Sequence, residues 1–383
     1  MNPFARMVPR DVTIMEEIYC AALSDLLGHG AAQWAPRFLE AFGSYEAGYK
    51  ASRQDVAERG LLVPALEKCW GGKRWQSLPE RVYDYVHQHP VQLLTRQSAG
   101  YPALLQQLAL PPAILYVKGH LPSSDQGLAI VGSRKATDYG LGVAAQFGRA
   151  AALDGIPVYS GGAYGIDGAA HKAAVEAGGT TVAVLGGGLD HLYPARHLHL
   201  FDRITEKGAL ITEFAPWEPP LAPQFLQRNR IIVGLSKAVL VVEAGARSGA
   251  LNTAHTALDE NRELFAVPGP IHSATSRGTN GLIKQGARLA DDPKDVLDFL
   301  QGREPGARAG TKPRQLDLFP ELKPEEKPRA KELIAWLKKQ PGQTLDTLAD
   351  TFPWPLDQLS MLLMELELAG RIQRTSRNRY IAV

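Results

Sequence analysis

Apolar side chains in the first 90 residues recur three and four positions apart, which is the spacing of one face of an α-helix. The first such stripe consists of Ile14, Ile18, Leu23, Leu26 and Leu27. A Gly-His-Gly break at positions 28–30 separates it from a second stripe that ends at Phe42. Residues 1–90 are therefore predicted to form a small helical domain.

From about residue 115 the pattern changes to short, continuous apolar runs separated by alanine-rich segments of helix length. The runs occupy positions 128–131, 156–159, 181–185, 238–242 and 264–267. Continuous runs rich in β-branched residues are typical of strands that are covered on both faces. Their alternation with helices predicts a mostly parallel, doubly wound α/β sheet within residues 91–300.

The last part of the chain has a different composition again. Residues 301–327 are rich in Gly, Pro and charged side chains, which predicts a linker. Helices are expected at 330–339, 345–351 and 356–368, followed by two short alternating segments at 371–373 and 380–382. This order of elements predicts a C-terminal winged helix over residues 328–383.

Composition restricts the function classes. A chain of 383 residues is expected to form two or three domains. Its net charge of +2 means that any nucleic-acid site must be a local cluster of Arg and Lys. The two cysteines fit a reducing compartment and have no metal-ligand spacing. Neither a secretory signal nor a membrane-spanning run is recognisable, so we expect a cytoplasmic protein without a metal, a cofactor or membrane contact.

Glycine and serine follow the predicted strands, at the edge where doubly wound sheets bind ligands. The residues concerned are Gly132, Ser133 and Arg134, then Ser160, Gly161, Gly162 and Tyr164, then residues 186–188, and finally Ser248 and Gly249. Helix N-termini and the charge of Arg134 would bind phosphate there. The alternative is that the glycines make tight turns. Neither a Walker loop nor a good GxGxxG fingerprint is present, which disfavours a nucleotide cofactor bound in the usual way.

A second cluster, Phe225 to Arg230, combines an aromatic ring with two arginines. Arg228 and Arg230 cannot share one helix face, so one is expected to reach phosphate while the other pairs with Glu213 or Glu243. Phe225 lies three positions before Arg228 and would stack a base, the alternative being a core position.

Asp167 and His171 lie four positions apart on the helix after the glycine loop. Such a pair is compatible with general-base chemistry. Because the sequence places no serine or cysteine nucleophile beside it, a hydrogen bond that orients the helix is the preferred interpretation.

Together these motifs resemble the DprA/Smf family. The matching segments are AIVGSRKATDYG, SGGAYGIDGAAH, VAVLGGGLDHLYP, QRNRIIVGLS, VVEAGARSGALNTA, FAVPG and GTNGLIKQGA, in consistent order between about residues 100 and 290. The N-terminal helical segment resembles the family's SAM-like or helix-hairpin-helix region, and many members carry a winged-helix-like tail.

The resemblance implies an extended Rossmann-like domain that binds single-stranded DNA without sequence preference and forms a homodimer. It further implies a non-enzymatic protein that loads RecA recombinase onto strands covered by single-strand-binding protein, in transformation or recombinational repair. By position, the DNA-binding residues would be Gly132, Ser133, Arg134, Ser160, Gly161, Gly162, Tyr164, Phe225, Arg228, Asn229, Arg230, Ser248 and Gly249.

Three positions depart from the family pattern. Tyr164 and Ala222 stand where the family can have a basic residue, so this pocket is expected to depend more on stacking or on lysines elsewhere. His197 stands where an asparagine is usual, which affects a local loop contact.

An enzyme is the alternative, since the same fold resembles the lysine-decarboxylase-like (LOG) nucleotide phosphoribohydrolases. Their PGGxGTxxE motif corresponds here to residues 247–253, which lack the terminal glutamate. An interaction scaffold without a nucleic-acid role would leave the arginines at the strand ends unexplained.

The winged helix has an unusual charge distribution for a DNA reader. In a winged helix that reads DNA, the helix at 356–368 would enter the major groove and face phosphates. Here that helix carries three acidic residues and no Lys or Arg. The predicted wing is basic, with Arg371, Arg374, Arg377 and Arg379. We therefore expect this domain to bind protein, or to touch DNA only through the wing.

The linker contains the pentapeptide Gln315 to Phe319, which resembles the sliding-clamp-binding motif of bacterial DNA-metabolism proteins. Gln315 would enter a polar hole, and Leu318 and Phe319 a hydrophobic pocket. The alternative is that the segment packs on its own chain.

A labelled peptide of residues 312–322 is predicted to bind the sliding clamp in a fluorescence anisotropy titration. The Phe319→Ala peptide should bind at least about tenfold more weakly, because burying a Phe ring contributes roughly 1.5–3 kcal/mol. Two identical flat curves would contradict this prediction.

Overall fold

The computed structural model describes residues 12–246, 248–303, 326–375 and 379–382. Contacts divide the chain into two compact units, residues 1–307 and residues 308–383. The finer division of the first 300 residues at position 90 stays a prediction, and the linker motif Gln315, Leu318 and Phe319 lies outside the described residues. Within those residues, no helix is long and apolar enough to cross a membrane.

Between residues 12 and 90, where the description of the chain begins, six helices form the N-terminal part of the larger unit. They are α1 (Val12–Leu27), α2 (Ala31–Phe42), α3 (Tyr45–Lys50), α4 (Arg53–Glu58), α5 (Pro64–Cys69) and α6 (Lys73–Gln88). The predicted break is a 3-10 turn over Gly28–Gly30. Apolar side chains of α1 share one hydrophobic cluster with the sheet residues Ile114 and Tyr116, so these helices cover part of the sheet.

Among the described residues, nine strands form the sheet of the larger unit. They are β1 (Val91–Thr95), β2 (Ile114–Gly119), β3 (Leu128–Val131), β4 (Val158–Ser160), β5 (Thr181–Val184), β6 (Ala209–Thr212), β7 (Ala238–Val241), β8 (Glu263–Ala266) and β9 (Arg288–Leu289). Their order in the sheet is β1-β2-β6-β5-β4-β3-β7-β8-β9. The seven strands from β6 to β9 in this order run parallel, whereas β2 is antiparallel to both of its neighbours.

Helices cover both faces of this sheet. They are α7 (Ala103–Gln106), α8 (Asp138–Leu153), α9 (Ile166–Glu176), α10 (Leu198–Lys207), α11 (Ala222–Gly234), α12 (Gly249–Asp259), α13 (Arg277–Lys284) and α14 (Pro293–Leu300). Successive residues of β3 point into different clusters, Leu128 and Ile130 into one and Ala129 and Val131 into the other. The prediction of continuous apolar strands covered on both faces is therefore confirmed.

The strand order reverses direction between β3 and β7, which lie side by side. Chain segments after β3 proceed toward β6, and those after β7 proceed toward β9. In doubly wound sheets, the crevice beyond the carboxyl ends of two such strands is the usual ligand site. The predicted runs correspond to β3, β4, β5, β7 and β8, while β1, β2, β6 and β9 were not predicted.

The smaller unit is the predicted winged helix. It contains α15 (Glu326–Lys339), α16 (Leu345–Thr351), α17 (Leu356–Leu368) and the antiparallel strands β10 (Ile372–Arg374) and β11 (Tyr380–Ala382). Its own core includes Leu333, Leu348, Leu359, Leu363 and Tyr380.

Helix α8 contains a matched pair of glycines that tests the packing of α8 on α9. A Cβ at Gly148 would lie 2.6 Å from the carbonyl oxygen of Ala170 on α9, whereas a Cβ at Gly142 would meet nothing within 4 Å. Gly148→Ala is therefore predicted to lower the urea midpoint of the larger unit, because overpacking costs about 1–3 kcal/mol. Gly142→Ala should leave it unchanged or raise it, because Ala favours helix over Gly by roughly 1 kcal/mol. Equal effects of the two substitutions would contradict this account.

Candidate nucleic-acid interface

A crevice of about 660 Å³ lies at the predicted edge, beyond the carboxyl ends of β3 and β7. Its walls are the loops that follow β3, β4, β7 and β8, the start of α12 and one side of α11. Eight of the predicted DNA-binding residues line it: Gly132, Ser133, Arg134, Phe225, Arg228, Asn229, Ser248 and Gly249. Sequence reasoning missed Lys135 and the β8 loop residues Ala274 and Thr275, which also line it.

The buried carboxylate of Glu243 holds the walls of the crevice together. It accepts hydrogen bonds from the backbone N–H and the hydroxyl of Thr137, at 2.9 and 2.6 Å, and from the hydroxyl of Thr275 at 3.2 Å. The Glu243 carbonyl accepts a hydrogen bond from the Ser133 N–H at 2.8 Å. Glu243, a single residue in the loop after β7, therefore fixes both the β3 loop and the start of α8. The N-cap of α8 is Thr137.

Arg134 and Phe225 meet inside the crevice. The Arg134 guanidinium carbon lies 4.9 Å from the centre of the Phe225 ring, within cation–π range. Phe225 is half-buried rather than a core residue. Its ring rests on the β5 loop, where a Cβ at Gly186 would come within 2.7 Å of it. The crevice thus presents a cation and an aromatic surface side by side.

Arg228 is buried and faces the protein backbone. One guanidinium nitrogen donates to the carbonyls of Gly161 and Val184, which end β4 and β5. A Cβ at Gly161 would lie 2.5 Å from the guanidinium, so a side chain there would displace Arg228 from its present position. Burial lowers the pKa of Arg228 to about 10, and the group still carries its positive charge at neutral pH.

Arg230 is the arginine that pairs with an acidic side chain, as predicted for one of the two. It forms a 2.5 Å ion pair with Glu213 and also donates to the Leu110 carbonyl at 2.6 Å. The side chain of Glu213 is 6% exposed, so this pair is internal. Arg230 does not line the crevice, and its assignment to DNA binding stays a prediction that the geometry does not support.

Three further predicted residues lie beside the crevice rather than in its walls. Ser160 is buried, and its hydroxyl donates to the Ile130 carbonyl at 2.6 Å. The Gly162 carbonyl accepts a hydrogen bond from His197 Nδ1 at 2.9 Å, so the histidine makes a contact with the β4 loop. Tyr164 is 37% exposed and presents its ring toward His197.

Asp167 and His171 have separate partners. The Asp167 carboxylate accepts from the backbone N–H groups of Gly161 and Ala163, at 3.1 and 3.4 Å, and so orders the β4 loop. His171 Nδ1 lies 2.7 Å from the Thr181 hydroxyl, which itself donates to the Val158 carbonyl. His171 must therefore carry its proton on Nδ1. Asp167 therefore orders the β4 loop and His171 contacts β5, so the hydrogen bonds of these two residues are made to other parts of the chain and not to each other.

In the smaller unit, α17 combines acidic and apolar exposed side chains. Met361 and Met364 are 55% and 63% exposed, and Leu356 is 55% exposed. Asp357 and Glu367 are exposed on the same helix. Such a surface suits a protein partner better than DNA phosphates.

Two family models match the chain. The model described as DNA recombination-mediator protein A matches residues 92–301, and the model described as DprA winged helix domain matches residues 319–376. The chain is 40% identical to Protein Smf of Escherichia coli (strain K12) over 314 residues, 78% of this chain and 81% of that protein. It is 31% identical to Protein Smf of Synechocystis over 398 residues, 95% of this chain and 98% of that protein.

Solved structures share the fold, and two of them have TM-scores above 0.5. DNA processing protein A from Streptococcus pneumoniae is 32% identical with a TM-score of 0.62, over 73% of this chain and 96% of that chain. DNA processing protein A from Helicobacter pylori, whose structure gave insight into its single-stranded DNA binding mode, is 27% identical with a TM-score of 0.51, over 56% of this chain and 98% of that chain.

The buried His171 predicts a loss of stability in mild acid. Burial lowers its pKa to about 3, against an ordinary value of 6.5. As the pH falls below 6.5, the unfolded chain takes up a proton at this residue while the folded chain does not. The free energy of unfolding should therefore fall by roughly 1 kcal/mol per pH unit from this group.

Urea denaturation between pH 7 and pH 4.5 checks this contribution. His171→Gln should show a shallower loss of midpoint with falling pH than the unsubstituted protein, whereas substitution of the exposed His120 by Gln should not. Parallel curves for all three proteins would exclude a linked proton at His171.

Proposed function

Because the chain belongs to the DprA/Smf family of DNA recombination-mediator proteins, we propose that it binds single-stranded DNA in the crevice at the switch point. This proposal rests mainly on the contact between Arg134 and Phe225 within that crevice. Proteins that bind single strands without sequence preference combine a cation for the backbone with an aromatic surface for the bases. The single-stranded DNA binding mode of the H. pylori relative supports single-stranded DNA as the ligand.

In this proposal the residues have distinct roles. Arg134 neutralises a phosphate, and its planar guanidinium together with the Phe225 ring offers a stacking surface. The N-terminus of α12, where Ser248 is the N-cap, presents backbone N–H groups to a second phosphate. A Cβ at Gly249 would meet nothing within 4 Å, so the approach to this helix start is open. Arg228, buried in the crevice wall, contributes a fixed positive charge and positions the β4 and β5 loops.

The carboxylates at the crevice are already used for structure. Glu243 is bonded to Thr137 and Thr275, and Asp167 to two backbone N–H groups. Neither is available as a general base without breaking these contacts. This argues for a binding function, and the family assignment does not favour the phosphoribohydrolase alternative.

The proposal extends to the family's partners. It includes the loading of RecA onto strands covered by single-strand-binding protein and a homodimer formed through the α/β domain. It also includes contact of the linker motif with the sliding clamp. The family's description as recombination mediators supports the first of these. The acidic, methionine-bearing surface of α17 supports a protein partner for the winged helix.

Fluorescence anisotropy with a labelled oligo-dT across a salt series tests the crevice. Arg134→Ala is predicted to weaken binding by about tenfold or more, because a hydrogen bond to a charged group contributes roughly 1.5–3 kcal/mol. The slope of log K against log salt should fall by about 0.7, as expected for one phosphate contact on a single strand. The unsubstituted protein should bind the matching duplex more weakly.

Arg149→Ala is the matched control. Arg149 lies on α8 with its side chain 55% exposed, where its nearest ion-pair partner is Glu176 at 4.0 Å. Its loss removes the same charge outside the crevice and should leave affinity and slope almost unchanged. Equal effects of the two substitutions, or equal binding of duplex and single strand, would reject the crevice as the DNA site.

A further inference from the structure

Four aromatic rings form a continuous row that begins in the crevice and leaves it. Phe225 contacts Tyr193 with a centroid separation of 6.0 Å, and Tyr193 contacts Tyr164 at 6.4 Å. Tyr164 in turn contacts His197 at 5.3 Å. Each contact is edge-on, with interplanar angles of 65°, 73° and 72°. The row therefore connects the crevice to the surface of the β4 and β5 loops.

The two tyrosines in the middle of this row are exposed. Tyr193 is 47% exposed and Tyr164 is 37% exposed, although neighbouring large side chains such as Phe201 are completely buried. The apolar surface of exposed aromatic rings at the rim of a site is removed from water only when a ligand covers the rings. Core packing therefore does not account for these two rings.

The backbone under the rings is firmly held. His197 is bonded to the Gly162 carbonyl, and its ring also packs against Phe201 at 6.1 Å. Asp190, three residues before Tyr193, accepts a hydrogen bond from the Tyr85 hydroxyl on α6 at 2.8 Å. A rigid surface binds a ligand without the entropy cost of ordering its side chains.

We propose that Tyr193 and Tyr164 form a second stacking platform, which takes bases of the strand that continue beyond the Arg134–Phe225 contact. This inference rests on the proposed function and adds the direction in which the DNA strand leaves the crevice. The strand leaves the crevice across the β4 and β5 loops, rather than across the loops after β7 and β8. Because the rings are inclined to one another, each holds a separate, unstacked base, as aromatic side chains do in sequence-tolerant sites.

Two pairs of substitutions test the platform in the full-length chain. Tyr193→Leu and Tyr164→Leu keep an apolar side chain but remove the ring, and each should weaken oligo-dT binding by about fivefold or more. Tyr193→Phe and Tyr164→Phe retain the ring and should bind within about twofold of the unsubstituted protein. Tyr83→Leu, at a tyrosine of α6 that stacks on His87 instead, should have no effect.

The salt dependence separates stacking from phosphate contact. Base stacking releases no counterions, so the Leu variants should retain the slope of log K against log salt, in contrast to Arg134→Ala. An oligonucleotide with abasic positions outside the crevice should bind the unsubstituted protein and the Leu variants equally. A crosslinking oligonucleotide that carries 5-iododeoxyuridine should attach to Tyr193 or Tyr164, as identified by mass spectrometry.

Failure of this inference is distinct from failure of the proposed function. If the Leu variants bind oligo-dT normally while Arg134→Ala does not, or if crosslinks are confined to Phe225, the platform is rejected and the crevice stands. If the Phe variants lose as much affinity as the Leu variants, the tyrosines act through local structure and the platform is again rejected. If the unsubstituted protein shows no preference for single strands, both proposals fall.

Discussion

The crevice depends on one buried carboxylate at the point where the sheet reverses its winding. Strands β3 and β7 lie side by side, and the segments that follow them diverge. Glu243 joins these segments again through the Ser133 N–H, the cap residue Thr137 and the β8 loop residue Thr275. A buried carboxylate is tolerated because its oxygens accept hydrogen bonds. Without it, three walls of the site would lose their common anchor.

The cations at this edge are unequal in what they do. Arg228 is 3% exposed and satisfies two backbone carbonyls, and Arg230 satisfies Glu213. Among the arginines of the described crevice walls, Arg134 is the one whose contacts are with an aromatic ring rather than with carbonyls or carboxylates. The internal arginines shape the loops and add to the positive potential, while Arg134 and Lys135 are the basic residues of the described walls that have no backbone carbonyl to satisfy. The aromatic surface of Phe225, as well as positive charge, is therefore available to a ligand in the crevice.

Local pattern was enough to predict the layers of this fold, and the failures have definable causes. The continuous apolar runs of β3 and β7 and the helical spacing around Leu359 each depend on neighbours in sequence, and their predicted structures are confirmed. The strand β2 and its partner β6 are as long as the predicted strands, so length does not explain why the sequence pattern failed there. Strand β2 pairs antiparallel with both neighbours, and it therefore lies outside the repeating β-α-β order on which the prediction depended. The orientation of Arg228 is fixed by carbonyls 67 and 44 positions away, which helical spacing cannot reveal. The row of rings through Tyr193 likewise joins residues of α11 with residues of the loops after β4 and β5, which are far apart in sequence.

The distribution of hydrophobic clusters decides which parts of this protein are separable. Side chains of α1 share a cluster with Ile114, Tyr116 and Leu210 of the sheet, so the N-terminal helices cover apolar surface of the sheet. The winged helix has a cluster entirely of its own. A cut or a frameshift near residue 307 would therefore leave the hydrophobic clusters around the crevice intact, whereas loss of the first helices would expose apolar surface of the sheet to water.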